Sequence, residues 1–71
     1  MVDRQKILEL ASGMRSGNNR LRMGQSIFNA AYSLHPVETN FCQFVMVIDC
    51  FYDDSKIEAF LKALEETQNV K

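Results

Sequence analysis

The sequence predicts an all-α protein, a small bundle of three to four helices with residues 1–71 forming a single domain. Three observations carry that expectation. Apolar side chains recur about every three and a half positions in several separate segments. The polar breaks between those segments contain glycine, asparagine or a proline placed to start a helix. A Ser-x-x-Glu pattern, which marks helix N-termini, stands directly ahead of the last apolar stripe.

The first helix is expected to be capped by Asp3 and to carry Ile7, Leu8, Leu10, Ala11 and Met14 at close to helical spacing. It should stop at Ser12-Gly13, or at the latest within Ser16-Gly17-Asn18-Asn19, where the chain readily turns left-handed. A second helix is expected from about Arg20 to Leu34, with Met23, Ile27, Ala30, Ala31 and Leu34 on one stripe and Phe28 and Tyr32 one position round. Gly24 lies inside it, where glycine costs up to about 1 kcal/mol relative to alanine. Either the helix begins after Gly24 or a neighbouring backbone needs the room. The Ala30-Ala31 pair also points to close helix approach.

Residues 41–51 admit two readings. As a helix led in by Pro36, the segment aligns Val37, Phe41, Phe44 (or Val45) and Ile48 on one stripe. As a strand over residues 41–50 it would give an α+β protein that pairs in a dimer, because a lone strand leaves both edges open. The helical reading is favoured on that ground. The last helix is the clearest: Ser55-x-x-Glu58 forms a capping box, Asp53 and Asp54 place negative charge at the positive end, and Ile57, Phe60, Leu61 and Leu64 make the stripe. Residues after Glu66 lack an apolar anchor and are expected to fray.

A core in so short a chain rarely supplies more than about 3 to 5 kcal/mol. Disulfides, a metal or self-association usually make up the difference. Cys42 and Cys50 lack C-x-x-C spacing and His35 is the only histidine, so no metal site and no cofactor are expected. Both thiols are expected to be free and buried or half-buried, a disulfide or an intermolecular bridge being the alternatives. A protein partner or a homo-oligomer is therefore the expected stabiliser.

No run approaches the ~18 apolar residues of a membrane span, and the N-terminal segment lacks the apolar core of a secretory signal. No membrane association and a cytoplasmic location are expected. Net charge is -1, but residues 1–35 sum to +3 and residues 36–71 to -4. That asymmetry hints at distinct binding surfaces.

Among candidate sites, Asp49, Asp53 and Asp54 lack the order of ligands of a calcium loop and read as capping and solvated surface. No serine or cysteine stands in a nucleophile motif, so no catalytic residue is assigned and the protein is not expected to be an enzyme. Arg15, Arg20 and Arg22 flank a loop ahead of a helix N-terminus, which suits an anion or a partner contact, or else is simply a solvated loop. Phe51 and Tyr52, followed by Asp53 and Asp54, form a candidate interface, with the rings either packed inward or exposed as anchors.

Two stretches, Gly24-Gln25-Ser26-Ile27-Phe28-Asn29-Ala30-Ala31-Tyr32 and Phe51-Tyr52-Asp53-Asp54-Ser55-Lys56-Ile57-Glu58-Ala59-Phe60-Leu61, resemble segments of short uncharacterised proteins of bacteria and their phages. The resemblance covers under half the chain and transfers no functional residue. It implies a small accessory protein that binds a larger one. The expected function is thus a helical protein-interaction module, encoded by a phage or a bacterium, that modulates a host protein by binding it. The alternative is a nucleic-acid-binding regulator using the Arg15–Arg22 loop, disfavoured by the negative net charge.

Overall fold

The computed structural model describes residues 2–17 and 20–67, and these form an all-α bundle. Four helices follow one another: α1 (Arg4–Gly17), α2 (Met23–Leu34), α3 (Pro36–Phe44) and α4 (Ile57–Thr67), with a single 3-10 turn (Asp54–Lys56) leading into α4. Each helix packs on the next, and the turn touches both α2 and α4. The radius of gyration is 11.2 Å, matching the ~11 Å of a compact chain this long.

Asp3 caps α1 as expected, its Oδ1 accepting from the backbone N–H of Gln5 at 3.0 Å and of Lys6 at 3.3 Å. The helix runs through Ser12-Gly13 to the later of the two expected stops; Asn18 and Asn19 lie outside the described residues. Ile7 and Ala11 are buried, Leu10 and Met14 pack against the core, and Leu8 faces out. At the far side Arg4 ties α1 to α4, with Nε 2.7 Å from Glu65 Oε1 and Nη1 2.9 Å from Glu58 Oε1.

α2 begins at Met23, three residues later than expected. Its first turn is capped from a distance: Gly24 N–H donates to Asp54 Oδ1 at 2.9 Å. Gly24 is the close approach that its presence in a helix suggested. A Cβ there would lie 2.1 Å from the Cys50 carbonyl oxygen and 2.8 Å from Asp54 Oδ1. Further along, Ile27, Phe28, Ala30 and Ala31 are buried, whereas Met23, Tyr32 and Leu34 stay largely exposed. His35 serves both neighbours: its N–H donates to Ala31 O at 2.7 Å to end α2, and its carbonyl accepts from Thr39 N at 2.9 Å to open α3.

The middle segment corrects both readings of residues 41–51. Residues 36–44 are helical, so the strand over 41–50 and the dimer built on it are set aside, and residues 45–53 are irregular rather than helical. Val45 N–H still bonds to Phe41 O at 2.9 Å. Two residues on, Val47 takes φ 55°, the left-handed region that glycine or asparagine normally fills at a helix end. The reversal lets Ile48 N–H reach Cys42 O at 2.8 Å and sends the chain back along the core. There Cys50 is fully buried and Met46, Ile48 and Phe51 pack against the cluster.

α4 carries the expected stripe, with Phe60, Leu61 and Leu64 buried, Ile57 half-buried, and Ala63 added to the set. The capping box is a correction. Asp53, not Ser55, is the cap: its Oδ1 accepts from Ser55 N at 2.9 Å and from Ser55 Oγ at 2.6 Å. Glu58 instead reaches Arg4, a charge-assisted partner that outcompetes a neutral backbone N–H. The helix persists through Thr67, one residue past the expected fraying point, and residues 68–71 lie outside the described residues.

Candidate interaction surface

The outward face of α3 is built from the side chains expected to be core. Val37 is 76% exposed, Phe44 73%, Val45 64% and Phe41 36%. At about 100° per residue these four share one side of the helix, while the buried pair Thr39 and Cys42 lies roughly opposite. So α3 enters the bundle on its small residues and presents its large ones to solvent. Thr39 and Cys42 allow close approach where Phe41 or Phe44 would hold the helices apart. The Thr39 hydroxyl has no hydrogen-bond partner among the described residues. Val47, 74% exposed, extends the apolar surface into the bend. A shallow groove of about 150 Å³ lies between Val37, Glu38, Phe41 and Thr67.

The candidate interface at Phe51–Asp54 separates into individual roles. Phe51 packs inward, its ring 5.5 Å from Phe28 in an edge-to-face pair, and Phe28 stacks on Phe60 at 5.6 Å. Tyr52 stays 78% exposed, its ring edge-on to Phe51 at 4.7 Å. The carboxylates serve the backbone: Asp49 accepts from Phe51 N, Asp53 from Ser55 and Asp54 from Gly24. The Ser55 hydroxyl, followed by the Ser55 N–H and then the charges of Lys56 and Arg22, holds the Asp53 carboxyl below its ordinary value of 3.8.

The basic loop is spread over three elements. Arg15 stands in the last turn of α1 with Nη1 3.7 Å from Met23 Sδ, Arg20 lies in the connecting turn, and Arg22 immediately precedes α2. All three are exposed. The helix N-terminus they flank already holds the carboxylate of Asp54, so the position where an incoming anion would find free N–H groups is occupied by the chain itself.

Both cysteines are free and buried. Cys50 Sγ donates to Gly24 O at 3.1 Å, and burial, reinforced by Asp49 and Asp54, pushes its thiol up to about 12. Burial and then Glu38 push Cys42 up as well. Neither sulfur is a thiolate near neutral pH, the form that nucleophilic attack requires. His35 Nδ1 is 3.9 Å from Glu38 Oε2. A wider open cleft of about 540 Å³ lies over the start of α1, lined by Asp3, Arg4, Lys6, His35 and Glu65 among others. One of its cations, Arg4, is already committed to Glu58 and Glu65.

Among the described residues no group of three or more histidine, cysteine or acidic side chains is arranged to hold a metal ion, and no helix is long and apolar enough to cross a membrane. These features define a small helical bundle with an apolar outward helix face. No protein-family model, curated protein or solved structure matches the chain.

Proposed function

We propose that the protein is a small helical protein-interaction module that works, in the cytoplasm, by docking another polypeptide on the outward face of α3 and the bend behind it. One observation carries the reading: Val37, Phe44, Val45 and Val47 are all at least 64% exposed on one short stretch of chain. Contiguous apolar surface of that kind is characteristic of binding sites, because a soluble monomer rarely leaves it uncovered. Modulation of a larger bacterial protein by a phage or bacterial accessory protein is the setting that the sequence resemblance implies. No catalytic residue, metal or cofactor is assigned.

Phe44→Asp tests the reading, since Phe44 is outside the core and the helix content by circular dichroism should not change. The expected outcome is loss of every protein complex that the unaltered chain forms, whether with itself or with a protein from bacterial lysate, as measured by light scattering on a sizing column. Complexes that survive Phe44→Asp would place the binding elsewhere and sink the reading. The nucleic-acid alternative predicts salt-dependent DNA binding that weakens when Arg15, Arg20 and Arg22 become alanine. It is the weaker of the two, because Asp53 and Asp54 set carboxylates beside that loop.

A further inference from the structure

We infer that the polypeptide docked on α3 is a second copy of this chain, paired antiparallel about a two-fold axis at Phe41; this rests on α3 being the docking face. The argument begins with spacing. Val37 precedes Phe41 by four residues and Val45 follows it by four, so these three positions read the same in both directions, while Phe44 has Glu38 as its mirror position. The hydrogen bond from Val45 N–H to Phe41 O keeps Val45 in helical register with the others. A two-fold interface brings position i against j and j against i, so this spacing sets apolar against apolar at both ends of the pair. With the axis at Phe41, the two phenylalanine rings meet at the centre, Val37 sits level with Val45 of the second copy, and Phe44 packs beside that copy's Val37.

Charge agrees with spacing. Glu38 is the sole charged residue between Pro36 and Ile48, and it lies on the flank of the face, directed toward His35. Two copies therefore meet without like charges opposed. Area agrees too. At the exposures given, Val37, Phe41, Phe44, Val45 and Val47 present on the order of 600 Å² per copy, so a pair that covered all of it would bury at most roughly 1,200 Å², the lower edge for a specific interface. Val47 adds to the apolar surface that a partner would cover. It is a β-branched residue held at φ 55°, where glycine is the undemanding choice, and its side chain is 74% exposed beside the face.

The test is a register-specific charge pair, read by sedimentation equilibrium on the full chain over a range of concentrations, with circular dichroism confirming the fold. The unaltered chain is expected to be in a concentration-dependent monomer–dimer equilibrium. Val37→Glu alone and Val45→Lys alone should each weaken it at least ~10-fold. The double variant Val37→Glu/Val45→Lys should recover most of that loss, because each glutamate then faces a lysine of the other copy at both ends. Failure of the double variant to recover overturns the antiparallel register. A chain monomeric at all concentrations overturns self-pairing; if a lysate protein then binds and is lost in Phe44→Asp, the module reading stands while this inference falls.

Discussion

At Gly24 and Asp53 single atoms decide the energetics. Glycine inside an exposed helix is normally improved by alanine by about 1 kcal/mol. Here the sign reverses, since the added methyl would lie 2.1 Å from the Cys50 carbonyl oxygen and displace the Asp54 cap. Gly24→Ala is expected to cost about 3 kcal/mol, measured as a fall in the urea midpoint, and a stabilised variant would contradict the packing of segment 50–54 on α2. Asp53 carries a pH dependence. Its carboxyl is depressed by the bonds from Ser55, so its contribution is complete above the ordinary value of 3.8 and disappears as pH falls through the lower, folded value. Stability should therefore decline as acid is added below about pH 4, and Asp53→Asn should flatten that decline in urea titrations run across the same window. The sequence showed that Gly24 needed a reason and that Asp53 stood at a helix start. It did not show Asp54 reaching α2, because that partner lies thirty residues away and only folding brings it near.

The helices were legible as elements to different degrees. α1, α2 and α4 were readable because their apolar residues repeat and all or part of each stripe is buried, and Asp3 and Asp53 mark their starts with short polar side chains. α3 was readable as a repeat yet not as an orientation: its stripe predicts an amphipathic helix but is silent on whether the large or the small side packs. Thr39 and Cys42 won that place through close approach. The end of α3 offers the sharpest element-scale test. Holding a β-branched residue in the left-handed region costs about 1 to 2 kcal/mol, so Val47→Gly should raise stability by about 1 kcal/mol. For a chain this short that amounts to a melting temperature about 4 to 8 °C higher. The same variant should bind less well through the α3 face, having lost an exposed isopropyl group. A gain in stability with a loss of association separates a functional residue from a structural one.

For the molecule as a whole, the core draws on all four α-helices, from Ile7 in α1 to Leu64 in α4, and both thiols lie inside it. Alkylation of Cys42 and Cys50 should then require extensive opening of the bundle. In native buffer the reaction is expected to run at least ~100-fold slower than in denaturant, as follows from a stability of a few kcal/mol. Mass spectrometry of a time course distinguishes this from rapid, selective labelling of one thiol, which would revive a nucleophilic role. The same small core explains why an outward apolar face matters: a bundle with so little interior gains disproportionately from covering it.

Local physics reaches far in this chain. Helical periodicity and short-range caps depend on residues within a turn or two of one another, so the amino-acid order alone favoured the all-α class, bounded the helices at three to four and marked the buried stripe of α4, while the strand alternative over residues 41–50 was removed only by the structure. Which side of α3 packs, why α2 waits until Met23, and how Phe51 and Tyr52 part company were settled by neighbours distant in sequence. Those outcomes turn on volume and on partners that exist only once the helices are assembled, and no repeat along the chain encodes them.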